Sequence, residues 1–458
     1  MTTRSLMADR SRLPEPGPAR LFLFPPVEKS TLASGLRVWT VSNRRIPVVS
    51  FVLLIARGSA ADPAGQDGLA AIAADMLDEG SGDRSAIQMH EALARLGAQF
   101  DTDIGADATV LSVTTLSRVA DQALAVLGDM AARPALRESD FERVRQLRVN
   151  RLKQLRDSPS AVADRAFLRL IYGEDPYAHT PIGHERSLAA ITVDDVRAFH
   201  ARALVPFAAT LVAVGDCDHD SIVRLAGDVF GGWTGDSADA AAPSSNGRRS
   251  PRLAILPRPN APQSELRIGH VSAPRGTPDY HALLLGNAIL GGQFVSRVNL
   301  NLREDKGFSY GARTAFEFRR RPGPFVLQVS VQTAATARAI EESIGEITAI
   351  RGPRPVTAAE LSFGIATLTR GYARNFETAD QISRAVIQLA LYDLSDDYYA
   401  QFVPRVESLT REDVSSAMAA RIDPSRLTTL IVGDLDMIGA DLARLGVGDP
   451  EILSADSF

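Results

Sequence analysis

The chain has 458 residues, of which 45% are hydrophobic and 23% are charged, and its formal net charge is −5. This is an ordinary globular composition, long enough for more than one core, and its acidic balance argues against nucleic acid or an anionic membrane as the main partner. No run reaches the roughly 18 apolar residues of a membrane span, and the single cysteine, Cys217, excludes an intrachain disulfide and any thiolate metal cluster.

The amino-terminal segment, residues 1–28, is rich in proline and predicts an extended arm. Leu21, Phe22 and Phe24 are apolar side chains that could attach the end of this arm to a domain surface. The first ten residues carry charges but no apolar run, so no signal peptide is visible. We therefore predict a cytoplasmic protein, or a periplasmic one if the start of the chain is misassigned or trimmed.

Two apolar stretches, residues 36–41 and 47–56, are joined by a short polar segment and predict a pair of neighbouring antiparallel strands. After a Gly-Ser loop, residues 68–77 carry apolar side chains at helical spacing. Further helices are predicted over 85–96, 119–131, 138–155, 193–203 and 295–305, and further strands over 108–116, 210–214 and from 312 onward.

The sequence repeats itself across residues 232–250, a small, polar and breaker-rich stretch that is typical of a linker. The same 218 residues separate Thr192 from Thr410 and Gly215 from Gly433, in two similar helix–strand motifs. Chance similarity is the alternative, and the equal spacing disfavours it. Applied further along the chain, the offset places Gly286 opposite Gly68.

This repeat predicts an α+β fold with two tandem homologous domains, each a mainly antiparallel sheet covered by helices. The first domain is predicted over residues 29–231 and the second over residues 251–458. The linker over residues 232–250 joins them.

The strand, the Gly-Ser loop and the helix over residues 68–77 resemble the active-site segment of the insulinase/pitrilysin metallopeptidases, the inverzincins. In that family the helix carries H-x-x-E-H, in which two histidines bind zinc and the glutamate activates the metal-bound water. The resemblance places Ala71, Ala74 and Asp75 at these three positions. It places Asn150 and Arg151 where the family has the glutamate that is the third zinc ligand. Zinc needs at least three protein donors, so neither a metal nor another cofactor is expected.

A second resemblance to the family lies in residues 290–297 and 302–310, which are similar to its C-terminal signature. That signature ends in an arginine and a tyrosine seven residues apart, here Arg303 and Tyr310. The resemblance implies that this pair donates hydrogen bonds to a substrate carbonyl and stabilises an oxyanion. On spacing alone, a structural role competes, because arginine suits the last turn of a helix and tyrosine suits the start of a strand.

Three other patterns are interpreted as structural. His179 and His184 have Pro181 and Gly183 between them, which predicts a surface loop rather than a metal site. Residues 307–311 match the G-x-S-x-G pattern, but a helix is predicted before the serine and a strand after it, and no histidine follows His281. The glycine pair at 291–292 predicts a turn rather than a phosphate site.

These observations predict the non-catalytic subunit of a zinc-dependent peptidase, similar to the metal-free subunit of two-subunit bacterial members and of mitochondrial processing peptidase. The chain would pair with a homologous zinc-bearing subunit that has H-x-x-E-H, as a heterodimer or a larger assembly, and would bind unfolded peptide. It is expected to be inactive alone. Two alternatives stay open: a stand-alone peptide-binding or scaffold protein, and a peptidase with an unrecognised site, which would hydrolyse peptides unaided.

Overall fold

The computed structural model describes residues 11, 22–235, 252–445 and 450–454. Most of the predicted arm and most of the predicted linker lie outside the described residues, and the domain boundaries drawn at them stay predictions. The end of the arm is described: the rings of Phe22 and Phe24 both contact the ring of Phe376. The arm therefore attaches to the second half of the chain.

The first half contains eight strands and eight helices among its described residues. Several of its helices begin at residues that favour side-chain capping, as at Ser85 and Thr192, which both form capping boxes. The strands are β1 (Glu28–Thr31), β2 (Arg37–Ser42), β3 (Val48–Ile55), β4 (Gly80–Ser81), β5 (Arg84–Ser85), β6 (Gln99–Ile104), β7 (Thr109–Leu116) and β8 (Ala209–Gly215). The helices are α1 (Leu69–Asp75), α2 (Ala86–Arg95), α3 (Ala120–Ala132), α4 (Glu138–Arg156), α5 (Pro159–Tyr172), α6 (Glu185–Ala190), α7 (Val193–Ala203) and α8 (His219–Phe230).

The six longer strands of this half form one sheet in the order β1-β2-β8-β3-β7-β6. Strand β8 lies between β2 and β3, parallel to the first and antiparallel to the second. The prediction that β2 and β3 pair directly was therefore wrong. Every residue of β8 is buried, and a strand that is apolar on both faces takes the middle of a sheet even when a short loop links its two neighbours.

The second half contains six strands and eight helices among its described residues. In the whole part of the chain that the structure describes, no helix is both long and apolar enough to cross a membrane. The strands are β9 (Leu253–Pro257), β10 (Gln263–Val271), β11 (Ala312–Phe316), β12 (Pro324–Gln332), β13 (Thr428–Gly433) and β14 (Glu451–Ile452). The helices are α9 (Tyr280–Leu290), α10 (Arg297–Asn299), α11 (Thr336–Ala349), α12 (Ala358–Thr369), α13 (Ala379–Tyr392), α14 (Tyr398–Glu407), α15 (Arg411–Arg421) and α16 (Leu435–Leu442).

The second sheet has the order β11-β12-β10-β13-β9-β14. Read from its other end, it repeats the first sheet: β9, β13, β10, β12 and β11 stand where β2, β8, β3, β7 and β6 stand, with the same directions. The predicted fold class and duplication are confirmed. One detail was wrong: Gly68 precedes α1, whereas Gly286 lies inside α9, so the offset of 218 does not extend to these helices.

The two halves each lend a helix to the other. Helix α5 of the first half packs on the second sheet, where Ala163 and Phe167 join a buried cluster with Leu430. Helix α13 of the second half packs on the first sheet, where Val386 joins a buried cluster with Val212. Both sheets are therefore covered on both faces, and the two halves share their packing.

Candidate functional site

Helix α1 carries the residues at the metal positions, and the backbone at its start is bound by Asp62 in the preceding loop. The carboxylate of Asp62 accepts the backbone N–H groups of Gly68 and Ala70, both at 2.7 Å. Ala71 and Ala74 are buried in the first half. Asp75 alone of the three reaches a neighbouring cavity of about 520 Å³. The helix therefore presents one carboxylate and two methyl groups where the family has three functional side chains.

Helix α4 faces Asp75 with arginine. The guanidinium of Arg148 donates to the Asp75 carboxylate and to the carbonyl oxygen of Pro181, the latter at 3.2 Å. Arg151 lines the same cavity. Asn150 is exposed and accepts a hydrogen bond from Gln146 at 3.0 Å. The side chain that pairs with Asp75 is therefore that of Arg148. It lies two residues before Asn150, at which the resemblance placed the third zinc ligand.

Zinc does not fit this arrangement. Zinc needs at least three nitrogen, sulfur or oxygen ligands, and Asp75 is the one such donor at the three helix positions. The adjacent guanidinium of Arg148 repels a dication. Across the described ranges, no three His, Cys, Asp or Glu side chains are grouped so as to hold a metal ion.

His179 lies in a loop, as the sequence predicted, but its ring is not at the surface: it is largely buried against the loop before α1. Its Nε2 lies 3.1 Å from the Asp62 carboxylate and 3.0 Å from the carbonyl oxygen of Ser59. Burial opposes protonation of His179, but the hydrogen bond to Asp62 and the charge of Asp67 outweigh it and raise the pKa of the imidazole. His179 therefore holds in place the aspartate that caps α1.

Arg303 and Tyr310 line one cavity of about 500 Å³. Arg303 lies in the last turn of a helix that begins at Arg297 and becomes π-helical over Leu300–Asp305, a local geometry that is frequent at functional sites. Its guanidinium carbon lies 4.3 Å from the ring centroid of Phe294, which is itself exposed. The predicted helix end at Arg303 is confirmed, and a cation is presented to the cavity.

Tyr310 lies two residues before β11, which begins at Ala312, and so is not at the start of a strand, where the structural interpretation placed it. Its side chain is 92% exposed, and its hydroxyl has no hydrogen-bond partner among the described residues. The preference of tyrosine for strands therefore does not explain this position. A phenol that buries so little surface stabilises the fold very little.

Asn299 connects the two walls of this cavity, and sequence reasoning missed it. Its amide nitrogen donates to the carbonyl oxygen of Phe294 at 2.7 Å, and its amide oxygen accepts the N–H of Ala312 at 3.0 Å. The side chain is 4% exposed. Asn299 thus fixes the turn before Arg303 relative to the strand after Tyr310, and no local pattern in the sequence signals such a pair of contacts.

The other interpretations of local motifs agree with the structure. A Cβ on Gly291 would lie 2.6 Å from the backbone nitrogen of Thr314, so close packing explains this glycine. Ser309 lies between a helix and β11, the reverse of the strand–serine–helix order of a nucleophile elbow, and its hydroxyl accepts the N–H of Gly311.

Comparison with known proteins identifies the family of this chain. Residues 37–183 match the family model described as insulinase (peptidase family M16), and residues 190–368 match the model described as peptidase M16 inactive domain. The chain belongs to the insulinase family. It is 25% identical over 292 residues to an uncharacterized zinc protease of Mycobacterium bovis, a match that spans 63% of this chain and 66% of that relative, just under two thirds. An uncharacterized zinc protease of Bacillus subtilis is 22% identical over 287 residues, which are 62% of this chain and 68% of that protein.

Solved structures support the fold of this insulinase-family chain. A peptidase M16 inactive domain from Pseudomonas fluorescens superposes with a TM-score of 0.83 and 24% identity, over 89% of this chain and 98% of that one. A periplasmic protease from Escherichia coli superposes with a TM-score of 0.76 and 16% identity, over 94% of this chain and 49% of that one. The family is thus established, while the α1 positions depart from its zinc motif.

Proposed function

We propose that this insulinase-family chain is the non-catalytic subunit of a zinc-dependent peptidase, and that it binds unfolded peptide substrate through Arg303 and Tyr310. The observation that carries the proposal is the hydroxyl of Tyr310, held in solvent at the cavity of Arg303 with no partner among the described residues. A side chain kept there without a structural reason is suited to a ligand.

The chemistry of the two side chains supports this role. A guanidinium and a phenol are hydrogen-bond donors, and both suit a peptide carbonyl oxygen that becomes negative during hydrolysis. A homologous subunit with H-x-x-E-H would supply the zinc chemistry, because in this chain the Asp75–Arg148 pair occupies the position of the metal site. The cytoplasmic location predicted from the sequence belongs to the same proposal.

The test compares the chain alone with the chain co-purified with a zinc-bearing homologue of the same organism. We expect the chain alone not to hydrolyse a fluorogenic unfolded peptide and the complex to hydrolyse it. Tyr310→Phe should lower turnover by about 10²–10³-fold, the usual effect of losing one oxyanion donor. Zinc content and assembly, measured by elemental analysis and size-exclusion chromatography, should stay unchanged.

A matched control is Tyr399→Phe, which also removes one hydroxyl, here one that donates to the carbonyl oxygen of Ala385 at 2.8 Å. It should leave turnover unchanged. If Tyr310→Phe leaves turnover unchanged too, the pair is not a substrate site. Hydrolysis by the chain alone would instead favour a peptidase with an unrecognised site, and a chain that binds peptide but assembles with no zinc-bearing homologue would favour a stand-alone module.

A further inference from the structure

A third cavity, of about 630 Å³, lies between the two halves. This volume is within the range of about 300–1,000 Å³ that is typical of ligand sites. Its floor is apolar and comes from both sheets and from the two exchanged helices α5 and α13: Leu54, Phe167, Val326, Ile387 and Leu391. We call it the inter-half cavity.

The mouth of the inter-half cavity is polar and carries both signs of charge. Asp103, Arg313, Glu317 and Gln388 line it and are exposed. Such a mixed rim does not select an anion or a cation. An apolar floor below a mixed polar rim suits a large apolar side chain carried on a peptide backbone.

The inter-half cavity adjoins the cavity of Arg303 and Tyr310. Arg267, Arg313 and Gln328 line both. Arg313 lies on β11, the edge strand of the second sheet, whose N–H groups at Ala312 and Thr314 are bonded to Asn299 and Gly291. The guanidinium of Arg313 is held by Gln328, whose side-chain oxygen accepts hydrogen bonds from Nε at 2.9 Å and from Nη2 at 2.7 Å. A peptide can therefore pass from one cavity to the other beside β11, over the side chains of Arg313 and Gln328 that line both.

The wall between the cavities is fixed before any ligand arrives. Arg267, which is 2% exposed, donates to Asp164 at 2.7 Å and to the Ser160 hydroxyl at 2.8 Å. These contacts join β10 of the second half to α5 of the first. A preformed wall lowers the ordering cost of binding.

We propose that the peptide held at Arg303 and Tyr310 continues beside β11 and inserts an aromatic or large aliphatic side chain into the inter-half cavity. The inference rests on the proposed function, because the same peptide occupies both cavities. It names the substrate class: unfolded peptides with a large apolar residue at a fixed distance from the carbonyl that Arg303 and Tyr310 hold.

The test uses the full chain and short fluorescein-labelled peptides of glycine and serine, in which one phenylalanine is moved along the sequence. Binding is measured by fluorescence anisotropy. Phenylalanine at one position should tighten binding by about tenfold or more relative to the peptide without it, because the free energy of burying that side chain corresponds to at least this ratio of affinities. Phenylalanine at the other positions should have little effect.

Two tryptophan variants locate the effect. Gln388→Trp fills the mouth of the inter-half cavity and should abolish the preference for phenylalanine. Arg384→Trp, one turn earlier on α13 and exposed, adds the same side chain outside the cavity and should keep the preference. Tyr310→Phe should weaken the binding of all the peptides by a similar factor.

The outcomes separate the two proposals. Peptide binding without a phenylalanine preference, or a preference that survives Gln388→Trp, overturns the inter-half site and leaves the proposed function. A preference that Gln388→Trp abolishes, together with unchanged binding by Tyr310→Phe, supports the inter-half site and overturns the role of Tyr310. If no peptide binds the chain, both proposals are wrong.

Discussion

Arg148 on α4 donates to Asp75 at the end of α1, and the two side chains pair where the insulinase family places its metal. The guanidinium is about nine-tenths buried, while the carboxylate is close to half exposed. A buried guanidinium depends strongly on its partner, because an unpaired buried charge is costly. The departure from the zinc motif therefore includes α4 as well as the three positions of α1.

Restoring Ala71→His, Ala74→Glu and Asp75→His should not by itself produce a zinc site. The triple variant keeps the cation of Arg148 and removes the carboxylate that pairs with it, and a nearby cation opposes binding of a dication. Adding Arg148→Glu should increase zinc uptake, measured by elemental analysis after dialysis against zinc-containing buffer.

The matched control for that change is Lys153→Glu, which makes the same charge change at an exposed position on α4. It should not increase zinc uptake in the triple variant. Asn150→Glu should also have little effect, because Asn150 is exposed and bonded to Gln146. One tightly bound zinc per chain in the triple variant alone would contradict the assigned role of Arg148.

Asn299→Ala should loosen the cavity of Arg303 and Tyr310. The change removes an acceptor from the Ala312 N–H and a donor from the Phe294 carbonyl, and each group left unsatisfied costs about 1–3 kcal/mol. We expect faster hydrogen exchange in the peptide that contains Ala312. Asn301→Ala, a control on the same helix whose amide bonds Glu342 and Glu346, should not accelerate exchange there.

Local patterns in the sequence predicted much of the fold but not the pairing of its strands. The helix over residues 193–203 was predicted with its bounds, because Thr192 and Asp195 form a local capping box. The position of β8 between β2 and β3 was missed, because it depends on a contact between segments far apart in the chain. A short connection is only an indirect sign of pairing.

The site shows the same division between local and distant contacts. The family signature located Arg303 and Tyr310, and the structure places both in one cavity. Arg148 and Asn299 were missed, because their roles come from contacts made across elements. His179 was misinterpreted since nothing near it in the sequence indicates that it meets Asp62 in the interior.

The Arg297–Glu360 pair should make stability depend on pH. Glu360 accepts from Nε of Arg297 at 2.6 Å and from Nη2 at 2.7 Å. Burial acts to raise the pKa of Glu360, but the hydrogen bonds from Arg297 and Thr357 outweigh it and lower the pKa to about 2. A folded pKa below the unfolded value contributes stability above the unfolded pKa, and this stability is lost as pH falls towards the folded value.

Glu360→Gln should therefore lower the free energy of unfolding at pH 7 by about 2–3 kcal/mol. The difference between the variant and the natural chain should persist down to about pH 5 and then shrink, with about half of it lost by pH 3. Differential scanning calorimetry at several pH values measures the gap in melting temperature. Glu341→Gln, at another acidic position of the second half, should show no comparable gap. A gap that stays constant from pH 7 to pH 3 would contradict the assigned ionisation of Glu360.

The exchange of α5 and α13 predicts that neither half is complete alone. The outer face of the first sheet contains Trp39, Val52 and Val212, which are buried in one cluster with residues of α13. A fragment that lacks α13 exposes this apolar face to water, and exposed apolar faces of this kind promote association.

Splitting the chain after residue 240, in the predicted linker, tests this dependence. The two fragments should form a stable complex when co-expressed, whereas the first fragment alone should aggregate or bind a hydrophobic dye. The chain has two tryptophans, Trp39 and Trp233, so a Trp233→Phe background leaves Trp39 as the reporter of the covered face. Its fluorescence should be red-shifted in the fragment alone and should return to shorter wavelength when the second fragment is added. A first fragment that is monomeric, with Trp39 emission like that of the whole chain, would show that the sheet does not need α13.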